Sequence, residues 1–185
     1  MNIAIVGTHC TGKSTLIKSL SSPDSGLKWD KIISSSTRGS IEFGLKINEE
    51  GDSLSQLYMI SSDVKSFIEN GGLKSEKKLL FDRCFLDTFI YSLYMSLQKK
   101  LPWSTTHTCQ QIWETFSEKF DFIFWLRPEF ELVEDGTRST NKDFQLKVDS
   151  LFQQYFQVSE VKPIQLSGSL EERIKQFKQI VNGNN

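Results

Sequence analysis

One eight-residue segment near the amino end constrains this chain more than any other feature. Residues 7–14 read G-T-H-C-T-G-K-S and fill every fixed position of the pattern G-x-x-x-x-G-K-[ST]. The apolar run 3–6 precedes the segment, and residues 15–20 continue with apolar side chains at helical spacing. A phosphate-binding loop requires this context, with a strand before it and a helix after it. The segment therefore predicts a strand, a phosphate-binding loop and a helix.

The residue types in this loop suit a nucleoside triphosphate. Its two glycines let backbone N–H groups point into one concavity, and the helix that opens at Lys13 directs its positive dipole end at a phosphate. We expect Lys13 to hold the β- and γ-phosphates and Ser14 to ligate Mg²⁺. The expected cofactors are ATP and Mg²⁺, with contacts from Gly7, Thr8, His9, Cys10, Thr11, Gly12, Lys13, Ser14 and Thr15.

Apolar runs that read as buried strands alternate with helical patterns along the whole chain. The predicted strands are 3–6, 31–34, 79–82, 122–126 and 163–166, and the main predicted helices are 13–20, 53–69, 86–98, 108–119, 144–155 and 170–181. This alternation predicts a three-layer α/β fold with a parallel sheet between flanking helices, and together with the loop 7–14 it indicates the P-loop NTPase class. We expect a single domain over 1–181 and a flexible tail over 182–185.

Composition narrows the class of partner. The net charge of −1 over 185 residues provides no broad basic surface for a long nucleic acid, so a small-molecule acceptor is favoured. The three cysteines are unclustered, which is typical of a reducing cytoplasm, or of the host cytoplasm for a virus-encoded chain. No segment has the length of a membrane span. The sequence leaves oligomerisation open.

A second polar pair ends the third predicted strand. Asp82 and Arg83 follow an apolar run, and in this topology they lie beside the phosphate loop. Asp82 is the leading catalytic carboxylate, either orienting the attacking hydroxyl or holding Mg²⁺. Arg83 could bind a substrate phosphate or carboxylate through its paired donors. The alternative is a local ion pair with Asp87, four residues further on.

The segment 127–142 is expected to form a lid. Pro128 interrupts regular structure, Asp135 and Gly136 form a strong turn signal, and Arg138 lies just beyond that turn. A closing loop could present Arg138 to the transferring phosphoryl group. The alternative is a solvated acidic loop whose arginines offset the surrounding charge.

Three elements together resemble P-loop kinases of the ribosylnicotinamide kinase type, the kinase domain of NadR proteins, and their phage-encoded AAA-like relatives. They are the loop 7–14, the strand-end Asp82, and residues 133–139, whose V-E-D-G-T-R-S is similar to the family's V-[DE]-D-G-x-R-S. The resemblance implies a nucleotide-kinase fold and transfer of the ATP γ-phosphoryl group to a hydroxyl of a nucleoside-like acceptor. The resemblance also favours a catalytic role for Arg138 over the alternative of an arginine in a solvated loop.

Two features of the sequence bear on which acceptor is used. One is a likeness to a second kinase family, and the other is a departure from the family pattern. Asp82 and Arg83 also look like the D-R pair of thymidylate kinases, whose acceptor is a monophosphate. After the second strand, residues 34–38 read S-S-S-T-R, with serine where the family generally has a glutamate. The missing carboxylate makes Arg38 a candidate contact to an anionic acceptor, with a solvated arginine at a helix start as the alternative.

The sequence thus favours a kinase that acts on a small nucleoside or nucleoside monophosphate. In this reading Lys13, Asp82 and Arg138 are catalytic, Ser14 and Asp82 hold the metal, and Arg38, Asp82 and Arg83 bind the acceptor. Two other functions remain open: a regulatory P-loop NTPase whose partner responds to the nucleotide state, and an end-specific polynucleotide kinase.

Overall fold

The computed structural model forms one five-stranded sheet and describes residues 1–74, 76–132 and 139–183, with the side chain of residue 38 also outside the description. The strands are β1 (Asn2–Val6), β2 (Lys31–Ile33), β3 (Leu79–Asp82), β4 (Phe122–Leu126) and β5 (Ile164–Leu166). Their order in the sheet is β2-β3-β1-β4-β5, and every neighbouring pair is parallel. The order reverses direction at β1, which places the ends of β1 and β3 at the switch point where such sheets bind ligands.

The central strand β1 is buried on both faces. Ile3 and Ile5 pack into one apolar cluster, whereas Ala4 and Val6 pack into the other. Successive side chains of a strand point to opposite faces, so four consecutive apolar residues supply both cores. All four are fully buried.

Seven α-helices of the described residues cover the two faces. They are α1 (Lys13–Leu20), α2 (Thr37–Glu42), α3 (Ser53–Glu69), α4 (Phe85–Leu97), α5 (Trp103–Phe116), α6 (Lys142–Val158) and α7 (Leu170–Gly183). Helices α1 and α7 supply one apolar cluster, and α3, α4, α5 and α6 supply the other. The three-layer α/β fold predicted from the sequence is confirmed.

Three local predictions were wrong. Helix α2 is absent from the predicted helices, and α5 begins at Trp103, five residues before the predicted start at 108. For α3, helical spacing predicts one apolar face made of Leu54, Leu57, Tyr58, Ile60, Val64, Phe67 and Ile68. The structure buries Ile60 and Phe67 together with Met59, whereas Leu54, Leu57 and Ile68 are substantially exposed. The helix itself was predicted correctly, but which of its side chains are buried depends on how the helix packs against its neighbours.

Several smaller features complete the fold. Helix α7 continues to Gly183, two residues into the segment for which a tail is expected. Cys10, Cys84 and Cys109 are all free thiols. Within the part of the chain that the structure describes, no helix combines the length and the apolar composition needed to cross a membrane.

Candidate active site

The phosphate-binding loop connects β1 to α1 and is shaped by close backbone approach. Gly7 has φ +133°, and a Cβ built on it would lie 2.3 Å from the carbonyl oxygen of Leu126 on β4. Any larger residue would push the loop away from the sheet. Gly12 also has a positive φ, +86°, immediately before α1 begins at Lys13. Both glycines of the motif are therefore required by the backbone itself.

Lys13 points back into the curve of its own loop. Its ammonium group donates to the carbonyl oxygen of Thr8 and, at 3.1 Å, to Oγ1 of Thr11. The residue is only 5% exposed. An ammonium held at this point lies where the backbone concavity and the N-terminus of α1 both favour an anion.

A cleft opens beside the loop and brings together most of the residues predicted from the sequence. It is lined by His9, Cys10, Thr11, Gly12, Lys13, Ser14, Ser35, Thr37, Ile41, Ile47, Asn48, Asp82 and Arg83. Asp82 reaches it because β3 lies next to β1, with Asp82 opposite Ile5 in the parallel register. Gly7 and Thr8 are buried, whereas Thr15 is exposed, and these three do not line the cleft.

Ser14 and Asp82 are the cleft residues that could hold Mg²⁺. Among residues 1–74, 76–132 and 139–183, no group of three or more His, Cys, Asp or Glu side chains is arranged to bind a metal by itself. A hydroxyl and a carboxylate in one cleft suit Mg²⁺, which usually binds through one or two protein ligands and completes its shell with phosphate oxygens and water. The residues present fit that ion.

Arg83 forms the ion pair that the sequence offered as an alternative. Its Nη1 lies 3.3 Å from Oδ1 of Asp87 and donates at 3.3 Å to the carbonyl oxygen of Gly7. Burial opposes its charge, but the neighbouring Tyr91, Asp87 and Asp82 raise the pKa of Arg83 above its usual value. Its side chain remains 22% exposed and also lines the cleft, so the ion pair does not remove it from the site.

A second pocket, which we call the side pocket, adjoins the cleft. Its lining consists of Ser35, Ser36, Thr37, Ile47, Asn48, Gln56, Met59, Asp63, Arg83, Asp87, Thr88 and Tyr91. Arg83 lines both spaces, as do four residues of the segment after β2, namely Ser35, Thr37, Ile47 and Asn48. A molecule in the side pocket would therefore be adjacent to a phosphate chain in the cleft.

Two polar residues of α3 face the side pocket, and the sequence reasoning missed both. Gln56 is 2% exposed, and its Oε1 has no hydrogen-bond partner among the described residues. Burial raises the pKa of Asp63 to about 7, against hydrogen bonds from Ser36 that lower it and the nearby charge of Asp87 that raises it further. The available signal was the spacing i, i+3, i+7 of Gln56, Met59 and Asp63, which places them on one face of a helix.

His9 is anchored from two sides. Its N–H donates to the hydroxyl of Tyr91 on α4 at 2.9 Å, and its carbonyl oxygen accepts from Nε2 of Gln145 on α6 at 2.7 Å. Its ring stacks on Phe144, with 5.0 Å between centroids. Helices α4 and α6, which share one apolar cluster, thus hold the loop backbone at His9.

A buried arginine supports the other side of the loop. Arg173 of α7 is 1% exposed and donates through Nη1 to the carbonyl oxygen of Thr11 at 2.7 Å. Its Nη2 lies 2.9 Å from Oε2 of Glu129, and its guanidinium group stacks 4.7 Å from the ring centroid of Phe130. The segment that follows β4 is therefore attached to the phosphate loop through α7.

The predicted lid is described only at its two ends. Arg127 is held by Oδ2 of Asp149, 2.8 Å from its Nη2, so one of the two arginines of this segment is paired with α6. Ser139 donates at 2.5 Å to Oε1 of Glu49, in the segment between α2 and α3. Residues 133–138, which include Arg138, lie outside the described residues, as does the side chain of Arg38.

Comparisons with known proteins agree with this geometry. A family model described as an AAA domain matches residues 2–173. No curated protein matches the chain. Among solved structures, the NadR protein in complex with NR superposes with a TM-score of 0.68 at 17% identity, covering 98% of this chain and 50% of that one. This chain thus spans half the length of that NadR chain.

Two further solved structures match along nearly their whole length. The deoxyadenosine kinase from M. mycoides with bound dCTP has a TM-score of 0.68 at 18% identity, covering 99% of this chain and 100% of that one. Thymidylate kinase from Candida albicans has a TM-score of 0.64 at 16% identity, with 99% and 91% covered. The fold is that of nucleoside and nucleotide kinases.

Proposed function

This chain belongs to the AAA domain family, and we propose that it is a kinase that transfers the γ-phosphoryl group of MgATP to a hydroxyl of a small nucleoside or nucleoside monophosphate. The observation that carries the proposal is the continuity of two spaces. The phosphate-loop cleft and the side pocket share Arg83 and the segment after β2. A donor and an acceptor can therefore lie side by side.

Three residues of the cleft, Lys13, Ser14 and Asp82, have roles in this reaction. The loop amides and Lys13 bind the β- and γ-phosphates, while Ser14 and Asp82 hold Mg²⁺ or its water. Asp82 can instead orient the attacking hydroxyl, since it lines the cleft and directly precedes Arg83, which lines both spaces. When bound, Mg²⁺ neutralises charge on the phosphate oxygens. Arg138 is proposed to neutralise charge that develops on the transferring group.

The side pocket supports a nucleoside-like acceptor. The buried amide of Gln56 presents both an acceptor and donors, which can pair with the polar edge of a nucleobase. Asp63 adds a second polar group on the same face of α3. Ile47 and Met59 supply apolar contact. The apolar side chains could thus pack against a nucleobase while the polar groups bind one of its edges by hydrogen bonds, a combination that is common in small-molecule pockets.

Charge distinguishes the two acceptor classes. Among the described side chains that line the side pocket, Arg83 is the single cation, and Asp87 already neutralises it. These described side chains therefore offer no uncompensated cation to a phosphate monoester, and they favour an uncharged nucleoside. A monophosphate would need Arg38, which follows Thr37 of the pocket in sequence.

A panel of acceptors tests the proposal. Purified protein is incubated with MgATP and, separately, each common nucleoside, each deoxynucleoside monophosphate and nicotinamide riboside, and ADP release and product mass are measured. We expect at least one nucleoside to be phosphorylated. If monophosphates react instead, Arg38→Ala should reduce their kcat/KM more than that of any nucleoside.

Two outcomes would contradict the proposal. ATP hydrolysis that no acceptor stimulates would favour a regulatory NTPase. Phosphorylation of oligonucleotide ends, with binding that weakens as salt rises, would favour a polynucleotide kinase.

A further inference from the structure

Three residues between the end of β3 and the middle of α4 connect the side pocket to the phosphate loop. Arg83, Asp87 and Tyr91 are spaced at i, i+4 and i+8, and all three line the side pocket. Each also bonds to the loop backbone. Arg83 donates to the carbonyl oxygen of Gly7, Asp87 accepts from the N–H of Gly7, and Tyr91 accepts from the N–H of His9. The wall of one site therefore holds the backbone of the other.

Tyr91 is the member of this group whose two contacts can be separated. Its hydroxyl lies 2.9 Å from N of His9, 3.2 Å from Nδ1 of His9 and 3.4 Å from Oγ1 of Thr8. Its ring forms part of the pocket wall and packs 5.6 Å from the guanidinium carbon of Arg83. The hydroxyl thus contacts the phosphate loop, where the triphosphate binds, and the ring contacts the side pocket, where the nucleoside binds.

We propose, resting on the function proposed above, that Tyr91 is a positioning residue that couples acceptor binding to phosphate-loop geometry. A nucleoside in the side pocket packs against the ring and restricts its motion. The hydroxyl then holds the N–H of His9 in one direction, which sets the curvature of the loop ahead of Lys13. Because coupling between two binding sites is reciprocal, a bound triphosphate strengthens nucleoside binding by the same factor.

The substitution Tyr91→Phe isolates the hydroxyl, since it keeps the aromatic ring and removes only the contacts that the hydroxyl makes to the loop residues His9 and Thr8. Tyr94→Phe is the matched control. Tyr94 lies one turn further along α4, packs its ring 4.9 Å from that of Phe144, and makes no hydrogen bond through its hydroxyl to another described residue. Both variants lose one phenolic oxygen from the same helix.

Binding is measured by calorimetry with MgAMP-PNP, with deoxyadenosine, and with each in the presence of the other. In the wild-type protein we expect each ligand to tighten binding of the other by about fivefold or more. In Tyr91→Phe this factor should fall to one, while the affinity for each ligand alone changes little. Tyr94→Phe should retain the wild-type factor. In turnover at saturating deoxyadenosine, Tyr91→Phe should lower kcat by about tenfold or more, because it misplaces the bound MgATP, and it should raise the KM for ATP by about the lost coupling factor.

Three results would overturn the proposal: a wild-type protein in which the two ligands bind independently, a wild-type protein that does not bind deoxyadenosine, or a Tyr91→Phe variant that keeps the full factor. A purely structural role would lower the stability of Tyr91→Phe and leave the factor intact. Binding requires no turnover. A wild-type protein that binds both ligands but phosphorylates nothing would therefore contradict the proposed function, and the binding factor would still decide the role of Tyr91.

Discussion

Oδ1 of Asp87 accepts a hydrogen bond from the backbone N–H of Gly7 at 3.2 Å, across 80 positions of sequence. The same carboxylate caps α4, because its Oδ2 accepts from the N–H of Cys84 at 3.0 Å, and it pairs with Arg83. One buried side chain thus holds the first residue of the phosphate loop, the start of a helix and a guanidinium group. The conformation of the phosphate loop therefore depends on contacts from α4 as well as on the residues of its own motif.

Replacing Asp87 should destabilise the protein strongly. Asp87→Ala leaves Arg83 and two buried N–H groups without their acceptor, and breaking a buried ion pair in this way costs about 3–5 kcal/mol. Urea unfolding measures the loss. The exposed pair Asp143–Lys147 has the same i, i+4 spacing, so Asp143→Ala is the control and should leave the unfolding midpoint unchanged. Equal midpoints for both variants would refute this account of Asp87.

Lys13→Ala should remove nucleotide binding. Two lost charge-assisted contacts to phosphate, at about 1.5–3 kcal/mol each, predict at least about a hundredfold weaker binding of MgAMP-PNP by calorimetry. Lys18→Ala changes an exposed lysine of the same helix and should bind as the wild type does. Retention of wild-type affinity by Lys13→Ala would mean that the loop does not bind the triphosphate.

Arg138→Ala should impair the chemical step rather than binding. An arginine that contacts the transferring phosphoryl group contributes a factor of about 10³ to 10⁵ in rate. We therefore expect kcat to fall with a smaller change in ATP affinity, and Arg138→Lys to recover part of the rate. Steady-state kinetics and calorimetry together test this, and an equal loss in rate and affinity would argue against a catalytic lid.

Asp63 should make stability depend on pH. Burial raises its pKa in the folded protein to about 7 from an ordinary value near 3.8, so between these values the folded state binds more protons than the unfolded state. Its contribution to stability is therefore complete below about pH 4 and is lost as the pH rises through about 7. The free energy of unfolding should fall between about pH 4 and pH 7 and level off above that range, and Asp63→Asn should flatten the decline. Parallel pH profiles would show that Asp63 does not titrate in this range.

The pair between Arg173 and Glu129 should show strong coupling in a double-mutant cycle. Glu129→Ala leaves the buried guanidinium charge of Arg173 uncompensated, at a cost of about 3–5 kcal/mol. Removing both partners in Arg173→Met/Glu129→Ala should cost less than the sum of the single changes. Lys175→Ala, an exposed position on the same helix, serves as the control in urea unfolding. Additive effects would mean that the two side chains stabilise the loop independently.

Several elements were predictable because their physical cause is local. The strands 79–82 and 122–126 and the helices 13–20 and 53–69 have the predicted bounds, since apolar runs and helical periodicity are written in neighbouring residues. Helix α2 was missed because its six residues, T-R-G-S-I-E, include a glycine and only one large apolar side chain. The start of α5 was missed because a proline is a common loop signal, whereas here Pro102 directly precedes the first helical residue.

The sequence alone determined the phosphate loop, because this motif between a strand and a helix adopts one geometry. It also determined the parallel α/β class and the position of Asp82 at a strand end, because apolar strands alternate with helical patterns along the chain. Only the tertiary structure decided what surrounds that loop. Asp87, Tyr91, Gln145 and Arg173 reach it from three helices, through contacts between residues 80 to 162 positions apart. The side pocket with Gln56 and Asp63 arises in the same way. No short pattern encodes such contacts, since they depend on how separate helices pack against one sheet.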